Sequence, residues 1–299
     1  MKVLIFGCGF SGKSIAERLT EKGDQVIGTS RSKDKFDDVQ RAGALPLQFD
    51  GSTMSDGLLQ AMNDVTHLVI SIAPPRDENP DNSDSIVDPV LAAFGNQLLK
   101  TLMPKLAWVG YLSTVGVYGN HDGEWMDESA VLSPTSARSR QRVRAESEWM
   151  ACAKANDLPL SIFRLSGIYG PGRNALRSAN EGRSRRLIKK GQVFNRIHVR
   201  DIAKAVELAI DDNASGIFNV TDDEPAAPQD VVAFAHQLLG TEPPPELDFE
   251  TAELSPMAQS FYGDNKRVSN ERSKAELGMV YEWPDYRAAL KRMFDENDW

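Results

Sequence analysis

Cysteine is almost missing from this chain: Cys8 and Cys152 are the two among 299 residues. They form no disulfide framework and show no metal-ligand spacing, so the expectation is reduced thiols in a cytoplasmic protein and no bound metal. Long apolar runs are missing as well. None approaches the roughly 20 residues of a membrane-spanning helix, and the chain enters its first apolar run directly after Lys2, with no signal-peptide pattern. No membrane partner is expected. Positive charge is in deficit, with a net charge of -9 and a pI near 5.1, which speaks against a nucleic-acid surface. Internal repeats and low-complexity tracts are absent too. What remains is the composition of a soluble globular protein, long enough for one large α/β domain with a smaller appendage.

The most informative stretch is Gly7-Cys8-Gly9-Phe10-Ser11-Gly12, which fits G-x-G-x-x-G and follows the apolar run Val3-Leu4-Ile5-Phe6. Ser14 to Leu19 then reads as a helix. Strand, tight turn and helix in that order form a dinucleotide site. Gly7 permits the turn, Gly9 lets backbone approach a pyrophosphate, and Gly12 lets helix and strand pack closely. The N–H groups from Phe10 and Ser11 onward face the anion. A turn that binds nothing is the bland alternative.

Cofactor choice is read at the end of the second strand, Gln25 to Thr29, where an NAD site places a carboxylate for the ribose 2′-hydroxyl. This chain has Ser30 and Arg31 there, with Lys33 close behind. With no carboxylate to repel a 2′-phosphate, NADP(H) is favoured over NAD(H). The competing reading makes Arg31 and Lys33 solvated loop charges.

Strand and helix signals alternate: a strand at 2–6, a helix to about 22, then 25–29, a helix at 36–41, and 45–49. Further on come a helix at 58–62, a strand at 67–72, a helix at 89–102 and a strand at 106–113. The pattern predicts an α/β fold, a doubly wound parallel sheet (Rossmann) with a smaller C-terminal α/β lobe. The Rossmann domain is assigned residues 1–168 with 195–221, and the lobe 169–194 with 222–299. Ligands bind beyond the carboxyl ends of such strands, which directs attention to Asp50, Ser71 to Pro75, Ser113 to Tyr118 and Ser166 to Gly172. Pro74 to Asp88, acidic and rich in Pro, Asp and Asn, reads as a long loop beside the site. Arg173 to Lys190 is basic and suits either an anionic substrate or a solvated face. In the C-terminal part a strand is expected at 216–220 and helices at 228–239, 270–277 and 284–296. His198 lies in a strand-like stretch, and Asp201 is expected to cap the helix beginning at Ile202.

With these landmarks assembled, the chain resembles the extended or atypical short-chain dehydrogenase/reductase superfamily, in its sugar-nucleotide epimerase and dehydratase branch. The resemblance rests on the glycine turn, Leu112 to Gly119, Arg164 to Gly172, Arg196 to Asp201 and Phe218-Asn219-Val220. It implies that Thr114 holds the position of the catalytic Ser or Thr, that Asp50 touches adenine, and that Ser71 to Ala73 wall the ribose. Relatives commonly pair through helices that correspond to Leu91–Leu102 and Arg142–Lys154, so the chain is expected to be a monomer or a homodimer.

One departure stands out. Relatives carry Tyr-x-x-x-Lys before Ala-Glu, and with Ala145-Glu146 setting the register, Arg138 replaces the Tyr and Arg142 the Lys. Spacing i, i+4 puts both on one helical face, where they point at the cofactor or join Arg140 and Arg144 in a solvated helix laced to Glu146 and Glu148. Arg142 can still hold a ribose. Arg138 is neither acid nor base near neutral pH. The proton relay has therefore moved, with Tyr118 the first choice and Thr114, Tyr169 and His198 behind it, or hydride chemistry is lost. The first case is an NADP-dependent oxidoreductase or epimerase-like enzyme on a small, possibly anionic, carbonyl or alcohol substrate. The second is a non-catalytic dinucleotide-binding sensor or interaction protein.

Overall fold

The computed structural model describes residues 1–75, 86–95, 99–254 and 256–299, leaving aside the side chains of 256–258 and 260. The first half alternates β1 (Lys2–Phe6), α1 (Phe10–Glu21), β2 (Gln25–Ser30), α2 (Phe36–Arg41), β3 (Leu45–Gln48), α3 (Asp56–Met62) and β4 (His67–Ile70). After these come α4 (Pro89–Phe94), α5 (Leu99–Leu102), β5 (Trp108–Thr114), β6 (Trp125–Met126), α6 (Ala137–Ala155) and β7 (Leu160–Leu165). The remainder begins with β8 (Gly167–Tyr169), α7 (Ala175–Asn180), β9 (Arg186–Ile188), β10 (Arg196–His198), α8 (Val199–Asp211) and β11 (Gly216–Val220). It closes with α9 (Pro228–Leu239), β12 (Glu246–Asp248), α10 (Pro256–Gly263), β13 (Arg267–Val268), α11 (Glu271–Leu277) and α12 (Tyr286–Asp295).

Local chemistry explains the boundaries. Ser136 starts α6 by accepting from the Ser139 N–H at 3.1 Å, and Asp88 starts α4 by accepting from Val90 and Leu91, each a side-chain oxygen satisfying a free helical donor. The expected helix 89–102 is two elements. Gly95 adopts φ +62° after α4, a conformation that glycine reaches without a steric cost, and residues 96–98 lie outside the described residues.

Seven strands pair in parallel in the order β11-β7-β5-β4-β1-β2-β3, which is the Rossmann arrangement expected. The chain starts at β1, winds outward to β3 and returns at β4, so the switch point lies between β1 and β4. That is where such sheets take a ligand. On one face Ile15, Leu19, Ile202 and Val206 cover the sheet. On the other Leu58, Met62, Val90, Ala145 and Trp149 do so. Fully buried Leu4 and Ile5 each contribute about 2 kcal/mol.

A further core of Tyr169, Leu176, Val231, Trp283, Tyr286, Leu290 and Met293 joins the segment after β7 to the C-terminal helices. Leu277, Met279 and Tyr281, by contrast, pack with the α1–α8 face of the main sheet.

Candidate functional site

At the carboxyl end of β1 the turn is shaped by missing Cβ atoms. Gly7 has φ +88° and its N–H donates to the Thr29 hydroxyl at 2.9 Å. A Cβ on Gly12 would lie 2.6 Å from the Gly7 carbonyl oxygen, whereas a Cβ on Gly9 would meet nothing within 4 Å. Gly12 therefore serves packing, and Gly9 leaves space over the helix start. α1 has no acidic residue in its first turn and no side-chain cap. These features fit a dinucleotide pyrophosphate. Phe10 is half-buried and Ser11 buried at that helix start. Cys8, buried beneath the turn, has its thiol pushed up to about 12 by burial and stays neutral.

Around the turn, Ser30 is half-buried and Arg31 exposed at the end of β2. The Ser30 hydroxyl donates to Ser32 O, while Gln48 Nε2 donates to the Arg31 carbonyl and leaves that guanidinium in solvent. Asp50 is exposed beyond β3, and its Oδ1 accepts from Ser52 N at 2.8 Å and Thr53 N at 3.0 Å. Those bonds hold the carboxyl below its usual range. Ser71 is half-buried and Ala73 exposed beyond β4, and the Ser71–Ile72 backbone presses on Gly7. Ser30, Arg31, Asp50, Ser71 and Ala73 all lie at the carboxyl ends of strands near the switch point. Two concavities lie elsewhere, one of about 430 Å³ at the amino ends of β1 and β2, another of about 260 Å³ between α4 and α6.

The carboxyl end of β5 is built from side chains. Thr114 is half-buried, and its hydroxyl oxygen accepts from the Gly116 N–H at 3.1 Å, which leaves its own proton to donate. Arg142 is buried, 7% exposed, and donates to the Tyr111 hydroxyl at 3.0 Å and the Leu112 carbonyl at 2.9 Å. Arg138, one turn earlier, is exposed. The two arginines thus occupy different environments, although their spacing suggested one shared face.

The alternative reading of this segment, a solvated helix laced to Glu146 and Glu148, fits neither glutamate. Glu146 turns inward to accept from Ser113 and Arg164, with Arg164 Nη2 at 2.8 Å and the pair 3% and 1% exposed. Glu148 accepts from the backbone of Val87 and Asp88. A buried guanidinium in the apolar strand Leu160-Ser161-Ile162-Phe163-Arg164-Leu165 requires a carboxylate, and that requirement is the signal by which Glu146 was findable.

Tyr118 is the second correction. Its side chain is fully buried, its hydroxyl donates to Asn219 Oδ1 at 2.7 Å and accepts from Arg164 Nη1 at 3.0 Å. Burial raises its pKa by more than the Arg164 charge lowers it. A hydroxyl so enclosed is a packing and network group, not a donor presented to substrate. Tyr169 is buried in the second core with its hydroxyl unpartnered among the described residues.

Asp201 is the third correction. The N-cap of α8 is His198, whose Nδ1 accepts from the Arg200 N–H at 3.3 Å. Asp201 reaches across instead to accept from Glu282 N and Trp283 N. Burial holds the His198 imidazole neutral, down at about 3. Part of the basic segment is paired: Arg177 and Arg183 meet Glu181, and Arg186 meets Glu246.

Among the described residues no helix is long and apolar enough to cross a membrane, and no His, Cys, Asp and Glu group is arranged for a metal. The acidic loop expected at 74–88 falls mostly on 76–85, outside the described residues.

A parallel sheet with a glycine turn at its switch point and an uncapped helix start above it defines a dinucleotide-binding Rossmann protein. More specifically, the chain belongs to the NAD dependent epimerase/dehydratase family, which it matches over residues 3–221. It is similar to a solved structure of a functionally unknown conserved protein from Silicibacter pomeroyi, at 44% identity and TM-score 0.86, covering 100% of this chain and 99% of that one. Protein YeeZ of Escherichia coli K12 is 27% identical over 298 residues, 95% of this chain and 97% of YeeZ. A 3-diazoavenalumate denitrifying reductase from Streptomyces is 27% identical over 164 residues, 50% of this chain and 52% of that protein.

Proposed function

We propose that the protein is an NADP(H)-dependent oxidoreductase acting on a carbonyl or alcohol substrate, with a proton path that does not use the family's tyrosine. The observation that carries this reading is Arg142, a buried cation hooked to the Leu112 carbonyl at the end of β5, where relatives place their lysine. A buried cation at that position keeps the positive charge of the site while giving up the acid.

When bound, the dinucleotide supplies or accepts hydride. Arg142 holds the nicotinamide ribose and keeps the site positive. Thr114 donates its free hydroxyl proton to the substrate oxygen, orienting the carbonyl, and draws a replacement proton from solvent water. Arg31 and Ser30 hold the 2′-phosphate, Asp50 faces the adenine, and Ser71 and Ala73 line the ribose. The family's description and the reductase among its relatives support hydride chemistry; the anionic substrate is supported by Arg185 and Lys190, which are exposed and form no ion pair among the described residues. Arg138 favours the second reading, a dinucleotide-binding sensor that has lost chemistry.

Calorimetric titration with NADPH and NADH separates these readings. The expected result is tighter binding of NADPH, with about a tenfold loss of that preference in Arg31→Ala, the scale of one exposed charge-assisted contact. Equal affinities would sink the NADP assignment. Binding without oxidation of NADPH across a carbonyl panel would favour the sensor.

A further inference from the structure

Arg173 belongs to the basic segment that sequence reasoning linked to an anionic substrate, yet the fold carries it back over the glycine turn. Gly170-Pro171-Gly172-Arg173 is a tight turn closed from both sides: Gly170 N donates to Arg173 O at 3.0 Å, and Arg173 N donates to Gly170 O at 2.9 Å. Pro171 and Gly172 suit its two central positions, the glycine at φ +74°. Asn174 then caps α7 and donates its side-chain N–H to Gly170 O at 2.9 Å. The backbone that carries Arg173 is therefore held rigidly.

That backbone sets the Arg173 guanidinium 5.7 Å from the centroid of the Phe10 ring. Phe10 is the first residue of α1, whose free N–H groups form the anion site. Among the described residues Arg173 forms no ion pair, in contrast to Arg177, Arg183 and Arg186. A second donor faces the same junction. His198 is fully buried, its Nδ1 accepts from Arg200 N, and its Nε2 has no hydrogen-bond partner among the described residues. That Nε2 and the edge of the Phe10 ring each lie 3.4 Å from the point where a Gly170 Cβ would stand. One exposed cation thus lies over the Phe10 ring, one buried orphan donor lies beside Gly170 with the ring edge, and α1 begins without a carboxylate.

We propose that Arg173 closes the dinucleotide site from the lobe side, contacting the pyrophosphate opposite the helix N-terminus, and so couples cofactor binding to the position of the segment after β7. This rests on the dinucleotide reading above. A cation on the far side of a pyrophosphate complements backbone N–H groups, which carry only partial charge.

The test is calorimetric titration of the full chain and of Arg173→Ala with three probes. NADPH and ADP-ribose carry the pyrophosphate; adenosine 2′-monophosphate does not. Arg177→Ala serves as a control for general loss of positive charge, and a thermal melt checks folding. The expected result is a loss of about tenfold or more for NADPH and ADP-ribose in Arg173→Ala, with adenosine 2′-monophosphate and the Arg177→Ala protein unchanged. Unchanged NADPH affinity in Arg173→Ala overturns the proposal, and so does an equal loss for all three probes. If dinucleotide affinity holds while the KM for an anionic substrate rises, Arg173 belongs to the substrate and the proposal falls. A wild-type protein that binds neither NADPH nor NADH overturns the cofactor reading itself, and this proposal with it.

Discussion

The glycine turn and the carboxyl end of β5 lie at the same edge of one parallel sheet, and they are built by opposite means. At the turn, missing atoms do the shaping: Gly12 has no Cβ to strike Gly7 O, and Gly9 leaves its space open. At β5 side chains do it, in a buried network that runs from Ser113 through Glu146, Arg164 and Tyr118 to Asn219. Backbone shape tolerates change in the residues around it, whereas a side-chain network depends on each member. On the resemblance, the glycine turn keeps the family's pattern while Arg138 and Arg142 stand where it has Tyr and Lys.

Glu146→Ala attacks the network at its least tolerant point. It leaves the Arg164 guanidinium buried without its carboxylate, a loss of about 3–5 kcal/mol, read by urea denaturation. A loss below about 1 kcal/mol, the range of an exposed pair, would show that the network does not hold this end together. Thr114→Ala removes a half-buried hydroxyl there that has a proton to give. Turnover of any carbonyl substrate should fall about 100-fold, the lower range for losing a positioned proton donor, while NADPH affinity stays constant. Tyr118→Phe should instead cost stability and leave turnover nearly intact; the reverse ranking would restore Tyr118 as the donor.

Gly12→Ala strikes the other region. Its Cβ meets backbone, which cannot swing aside, so about 2 kcal/mol of stability should be lost, within the range for overpacking. Dinucleotide binding should fall with it. A protein that keeps both would show that the α1–β1 approach is looser than the structure has it.

The same contrast decides what could be read before the fold was seen. α2 and α9 begin and end where the sequence placed them, because a charged turn precedes one and Pro228 and Gly240 bracket the other. The glycine turn was legible for the same reason: local backbone requirements are written in local residue types. Tyr118 was not. Its partners Asn219 and Arg164 lie 101 and 46 residues away, and no local pattern announces that a strand-end hydroxyl will be enclosed. Asp201 misled in the same way, since its carboxylate serves residues 81 and 82 positions further on. The short pairings β8–β10, β9–β12 and β6–β13 also lacked a signal, because two or three residues carry too little alternation to read.

His198, beside Gly170 and stacked on Trp283, gives an effect of slope rather than size. Burial, helped by the charges of Arg200 and Arg292, holds its folded pKa at about 3 against an ordinary 6.5. Between those values the unfolded chain binds a proton that the folded chain refuses, so His198 removes about 1.4 kcal/mol of stability per pH unit as pH falls below 6.5. Asp201 and Asp88 work the other way. Burial raises each to about 6, so the folded chain keeps protons that the unfolded chain releases above 3.8, and their contribution is lost as pH rises through 6. The wild-type profile between pH 6.5 and 4.5 contains these opposed terms beside those of other buried carboxylates such as Asp222, which burial raises as well. His198→Asn keeps an acceptor for the Arg200 N–H and deletes one term. Its stability should fall less steeply with acid than the wild type's, by about 1.4 kcal/mol per pH unit, in urea unfolding at pH 6.5, 5.5 and 4.5. The cavity left beside Trp283 lowers the whole curve without tilting it, so parallel curves would mean that the imidazole is hydrated and titrates normally.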